Sequence, residues 1–187
     1  MLPPGGAEVD IAVLFADVRG STELGESMGA VAFASMLNRF YATASHTLLD
    51  HRAMIDKMVG DEVMALYIQG PTGPNYRQAA VLSAVELLRA MGYGKGEPWL
   101  PIGIGIHAGP AYVGKVGTSE IQDFTALGDT VNTTARLQAE AKPGEVIISE
   151  ELYASVASEF PDLERRSLEL KGKAKPVAVR VLRAAEA

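Results

Sequence analysis

The sequence predicts an α+β protein with a ferredoxin-like split βαβ core and a C-terminal β extension. Two observations carry this: helix-period stretches alternate with short strand-like runs, and two more strand-like runs follow the last helix. The first strand, 10–17, holds Ile11-Ala12-Val13-Leu14-Phe15-Ala16, an apolar run too short for a helix that ends on Asp17. A Gly20-Ser21-Thr22 turn follows. From about Thr22 to Asp50 the residues Leu24, Met28, Val31, Phe33, Met36, Leu37, Phe40 and Tyr41 keep helical spacing. A hairpin over 53–68 turns at Gly60-Asp61. Pro71-Thr72-Gly73-Pro74 breaks the chain before a second helix from Tyr76 to Met91.

After a turn-rich connector, Ile102-Gly103-Ile104-Gly105-Ile106-His107-Ala108-Gly109 alternates Ile with Gly or His, the pattern of a strand closely approached by another backbone on one side. A hairpin partner is expected at 111–116. Asp129 is the expected N-cap of a helix over 130–141, closed by Pro143-Gly144. A strand at 145–149, a helix at 150–158 and strands near 163–170 and 176–182 complete the order.

The bulk properties bound the function. A chain of 187 residues, 48% hydrophobic and 21% charged, is long enough to bury one full core. One domain over 9–187, preceded by a short leader at 1–8, is expected. The net charge of -6 and pI near 5.1 argue against nucleic acid as a partner, which would call for a basic stripe. With no Cys, disulfides, zinc-thiolate sites and cysteine nucleophiles are excluded. The start of the chain lacks the basic and apolar regions of a secretory signal, and no apolar run reaches the roughly 20 residues of a membrane helix, so a cytoplasmic location is expected.

Asp17 and Asp61 each close a strand-like run beside a glycine turn, a pairing that suits a divalent-metal site for phosphate chemistry. Asn132 and Arg136 are four apart on one helix and share a face. Taken singly, each has a bland reading: Asp17 as a helix cap, Asp61 as a turn residue, Arg136 and Lys171 as solvated charges. Their joint occurrence favours function.

Three separated segments, Phe15-Ala16-Asp17-Val18-Arg19-Gly20-Ser21-Thr22, Lys57-Met58-Val59-Gly60-Asp61 and Thr125-Ala126-Leu127-Gly128-Asp129-Thr130-Val131-Asn132-Thr133-Thr134-Ala135-Arg136, together resemble the catalytic domain of class III nucleotidyl cyclases. The similarity runs from about residue 9 to about 183. The resemblance implies the class III cyclase fold and a head-to-tail homodimer whose sites are shared across the interface. It implies that two divalent ions, Mg2+ or Mn2+, are held by Asp17, Asp61 and Val18, and that Val18, Gly20, Ser21 and Thr22 cradle a triphosphate. From the partner chain it implies Lys57 and Thr125 on the purine, Asn132 on the ribose, Arg136 at the α-phosphate and Lys171 at the terminal phosphates.

Thr125 stands where many members carry aspartate, a pattern similar to the subgroup called class IIIb, which is associated with stimulation by bicarbonate or carbon dioxide. Thr125 can accept from an adenine amino group and Lys57 can donate to a ring nitrogen, so ATP is the expected substrate and cyclic AMP the product. Ser21 replaces a common aromatic residue. Two other readings remain: a silent nucleotide-binding or dimerisation module, and a guanylate or diguanylate cyclase. The diguanylate version lacks its Gly-Gly-Asp-Glu-Phe type of turn at 59–63.

Overall fold

The computed structural model describes residues 5–186. Strand β1 (Gly6–Val18) leads to helices α1 (Ser21–Met28) and α2 (Ala30–Asp50), the hairpin β2 (Met54–Val59) and β3 (Glu62–Ile68), a short α3 (Gln69–Thr72) and α4 (Tyr76–Ala90). Then come β4 (Ile102–Gly117), β5 (Gln122–Leu127), α5 (Asp129–Ala139), β6 (Glu145–Ser149), α6 (Glu150–Tyr153), β7 (Glu164–Leu168) and β8 (Val177–Arg183). The strands form one eight-stranded sheet in the order β2-β3-β1-β4-β6-β8-β7, with β5 pairing β4 off this path. The expected split βαβ core and C-terminal β extension are both present. Among the described residues no helix is long and apolar enough to cross a membrane.

The two-residue period of β1 sorts the core. Ala12, Leu14 and Ala16 face a large cluster that includes Phe40 and Leu48 of α2 and Leu87 and Leu88 of α4. Ile11, Val13 and Phe15 face the other side, with Met64, Leu66 and Ala126. By the same period Asp17 belongs to this second face. There α5 packs, its Leu137 joining Ile147, Val179 and Val181.

Several elements differ from expectation. The helix expected over 22–50 is two helices, because Gly29 adopts φ 82° and ψ 156° between them, which few other residues could do. The strand at 102–109 does not turn back at Pro110. It continues to Gly117, and its hairpin partner is β5. Pro110 lies between the stretch of β4 that pairs β6 (Ile104–Ile106) and the stretch that pairs β5 (Tyr112–Gly117), where that edge of the strand requires no donor.

At α5 the N-cap is Gly128, and Asp129 is the first helical residue. Its carboxylate instead binds Lys173 Nζ at 2.9 Å. The helix expected over 150–158 ends at Tyr153 and continues as turns. Residues 6–8, assigned to a leader, are part of β1, with Gly6 opposite Gly114; residues 1–4 of that leader lie outside the described residues.

The C-terminal extension is fastened by charge. Glu145, with its side chain only 5% exposed, accepts from Arg166 Nη1 and Nη2 at 2.9 Å, from Arg183 Nη2 at 3.0 Å and from the Lys142 backbone N–H at 3.0 Å. Although burial opposes ionisation, these donors hold the carboxyl down at about 2.

Candidate active site

The end of β1 and the tip of the β2–β3 hairpin meet. Asp17 pairs in register with Glu62, and the Val18 backbone N–H donates to the Asp61 carbonyl at 3.1 Å. Burial raises the Asp17 carboxyl to about 7, with the charge of Asp61, a hydrogen bond to it and the charge of Glu62 adding to the rise. Glu62 is raised as well, by burial and by Asp61. Arg19 opposes the rise in both, but it lies 3.9 Å from Asp17 Oδ2 and its guanidinium turns to the carbonyls of Ala141, at 2.8 Å, and Gln138. Asp17 Oδ1 is buried and accepts no hydrogen bond.

A buried carboxylate oxygen without a donor, in a group of like charges, fits a cation. Among the described residues no group of three or more His, Asp or Glu side chains is arranged as a metal cage. Two carboxylates suffice for an ion that takes its remaining ligands from water and phosphate oxygens, as Mg2+ usually does. Beside them is an open cleft of about 400 Å³ lined by Ser21, Thr22, Glu26, Phe33, Gly60 and Asp61. Gly20, at φ 70°, starts α1 with no side-chain cap on its first N–H groups, leaving them for an anion. Tyr41 of α2 donates to the Gly60 carbonyl and steadies the hairpin tip.

A second group forms further along β2. The pairing of β2 with β3 shifts between Ile55 and Lys57, a bulge that leaves Asp56 without a partner residue. Consecutive strand residues normally point to opposite faces; at this bulge Asp56 and Lys57 both reach Thr125 of β5. Lys57 Nζ donates to Thr125 Oγ1 at 3.1 Å and to Asp56 Oδ2 at 3.2 Å, while Thr125 Oγ1 donates to Asp56 Oδ2 at 2.9 Å. The side chain of Lys57 is 44% exposed and that of Asp56 is fully covered.

The third group lies on α5, and glycine seats that helix. A Cβ on Gly105 would be 2.4 Å from the Gln138 backbone N, and one on Gly103 would be 2.7 Å from Arg19 Nε. The Ile-Gly alternation therefore does reflect close backbone approach, and the approaching backbone is α5. Asn132 is exposed and Arg136 half-buried on this helix. The Arg136 guanidinium packs on Gly172, where a Cβ would come within 3.3 Å of Nη1. Gly172 takes φ 82° between Lys171 and Lys173 in the β7–β8 turn, so the backbone there leaves room for the arginine. Lys171, Lys173 and Lys175 line an open cleft of about 460 Å³.

Residues 7–182 match the family described as Adenylate and Guanylate cyclase catalytic domain. The chain belongs to this family. It is 30% identical over 177 residues, 89% of its length, to an adenylate cyclase of Anabaena cylindrica, and it spans about a third (35%) of that relative. Among solved structures it is similar to the adenylyl cyclase CyaB from P. aeruginosa, at 30% identity and a TM-score of 0.81 over 95% of each chain. It is also similar to the guanylyl cyclase Cya2, at 25% identity and a TM-score of 0.87 over 95% of this chain and 93% of the other.

Within this cyclase domain the residues singled out from sequence fall into separate groups. Asp17, Val18, Asp61 and the 20–22 turn form one, Lys57 and Thr125 another, and Asn132, Arg136 and the Lys171 turn a third. Among the described residues, no hydrogen bond or ion pair joins Asp17 or Asp61 to the other two groups. Sequence reading missed Asp56, Arg19 and Gly172. The Lys-Gly-Lys run was a visible signal for Gly172, whereas the bulge that turns Asp56 inward has no signature in the local sequence.

Proposed function

We propose that this cyclase domain converts ATP to 3′,5′-cyclic AMP and pyrophosphate at two equivalent sites, each shared across a head-to-tail homodimer. The ribose 3′-hydroxyl gives its proton to solvent water as its oxygen attacks the α-phosphorus and the bond to the bridging β-phosphate oxygen breaks, releasing pyrophosphate. Asp17, Asp61 and the Val18 carbonyl would hold two divalent ions, Mg2+ or Mn2+, which when bound lower the pKa of the attacking hydroxyl and offset phosphate charge. The backbone of Gly20, Ser21 and Thr22 receives the triphosphate. From the partner, Asn132 orients the ribose, Arg136 meets charge developing at the α-phosphate and Lys171 binds the terminal phosphates.

The observation that carries the choice of ATP is the Lys57–Thr125 contact. With Lys57 at the ring nitrogen N1 and Thr125 at the 6-position, the pair offers a donor and an acceptor in the order that adenine presents their complements; guanine presents the reverse. Two features support the dimer. No hydrogen bond or ion pair joins the Asp17–Asp61 group to the other two among the described residues, which suits a site completed by a second chain, and Val59 of β2 (66% exposed) and Phe124 and Leu127 of β5 (46% and 49%) are large apolar side chains left for one.

Mass spectrometry of products formed from ATP, and separately from GTP, in Mn2+ tests the reading. Cyclic AMP with pyrophosphate is expected. Cyclic GMP formed from GTP in preference would overturn the base assignment, and no product from either nucleotide at high protein concentration would favour the silent module.

A further inference from the structure

We infer that Asp56 is a positioning residue that sets base selectivity, by fixing the direction in which the Thr125 hydroxyl can hydrogen-bond. The inference rests on the base reading of Lys57 and Thr125 above. It starts from a count of hydrogen-bonding capacity. A carboxylate only accepts, so the 2.9 Å contact between Thr125 Oγ1 and Asp56 Oδ2 uses the single hydroxyl proton. One of the two lone pairs of Oγ1 is taken by Lys57 Nζ at 3.1 Å. What remains for a ligand is one acceptor site on Thr125. Lys57, with two of its three N–H groups already given to Thr125 and Asp56, keeps one donor.

A threonine hydroxyl free to rotate could donate to a 6-oxo group as readily as it accepts from a 6-amino group. Held by Asp56, it can only accept, so the site admits adenine and opposes a 6-oxopurine. Two further observations fit this role. The Asp56 side chain is fully covered, so water does not compete for its oxygen. Its Oδ1 is buried with no hydrogen-bond partner, a cost with no return in stability on this structure. The bulge at 55–57 is what turns this carboxylate toward Thr125.

The test compares kcat/KM for ATP and for inosine triphosphate, which differs from ATP at the 6-position and at the protonation of N1. The wild-type chain is expected to prefer ATP; if it does not, the base reading itself fails, whatever Asp56 does. In Asp56→Ala, and in Asp56→Leu, which fills the space without an acceptor, the ATP-to-inosine-triphosphate ratio should fall by roughly tenfold, about the contribution of one hydrogen bond. Asp56→Asn retains an acceptor oxygen and should keep most of the ratio. In a Thr125→Val background, with no hydroxyl to orient, Asp56→Ala should leave the ratio unchanged. Melting curves identify any variant that has lost its fold, and the ratio is then read from the other. Equal loss for both nucleotides in a folded Asp56→Ala or Asp56→Leu chain, with wild-type preference intact, would show a purely structural role and overturn the inference alone.

Discussion

At Asp17, with the metal site as proposed, a proton and a metal ion would compete for the same carboxyl. Its value is about 7 in the folded chain against an ordinary 3.8, so the group binds a proton on folding between those pH values. The stability it contributes is full below about 3.8 and is lost as pH rises through about 7. A divalent ion must displace that proton, so the increase in melting temperature on adding Mn2+ should be larger at pH 8 than at pH 6. Asp17→Asn should remove both the increment and its pH dependence. An increment equal at the two pH values in the wild-type chain would count against Asp17 as a ligand. The residues of this site differ in how far sequence revealed them. Asp17, Lys57, Asp61, Thr125, Asn132 and Arg136 could be singled out as candidates because each sits in a run with a recognisable neighbour pattern. Asp56 was not, since strand alternation assigns residues 56 and 57 to opposite faces and only the bulge brings them to the same threonine.

Among the elements, β4 and α5 depend on each other most closely. In Gly105→Ala the new methyl would meet the Gln138 backbone, which has no rotamer to change, so α5 must shift. The expected cost is about 1–3 kcal/mol by urea denaturation, with a loss of kcat larger than this destabilisation explains, because Asn132 and Arg136 ride on the displaced helix. Glu145→Ala makes a different demand. It removes the buried acceptor that Arg166 and Arg183 share, but both arginines keep the more exposed Glu164, at 3.0 and 2.8 Å, so a smaller loss of about 1–3 kcal/mol is expected in the same measurement. The glycine alternation revealed the close approach but not the partner, because nothing local in 102–109 records which segment returns to it. The boundary errors have physical causes too: helical periodicity passes across Gly29 without interruption, and Pro110 imitates a turn while lying within a strand.

For the whole molecule, the order of elements was enough to assign the fold, since helix and strand periods differ and the extra strands are set off by turns. How the three groups would combine across two chains was implied only by the family resemblance, because neither residue spacing nor the fold of one chain records where a partner sits. The composite-site proposal makes a quantitative prediction. Asp17→Ala and Arg136→Ala chains should each be inactive, and mixing them should restore about a quarter of wild-type activity, half of random dimers holding one intact site of two. Absence of rescue, with mixed dimers demonstrated by crosslinking, would refute sharing.

Arg19 gives this arrangement a further property. Its guanidinium holds the carbonyls of Gln138, in the last turn of α5, and of Ala141, just beyond it, while standing beside Asp17. In a dimer with shared sites, the Asp17 end of one chain would serve one site and the α5 arm of that chain the other. One side chain then touches both, and Asp17 and the end of α5 are tied to each other through an ion pair of 3.9 Å and two hydrogen bonds.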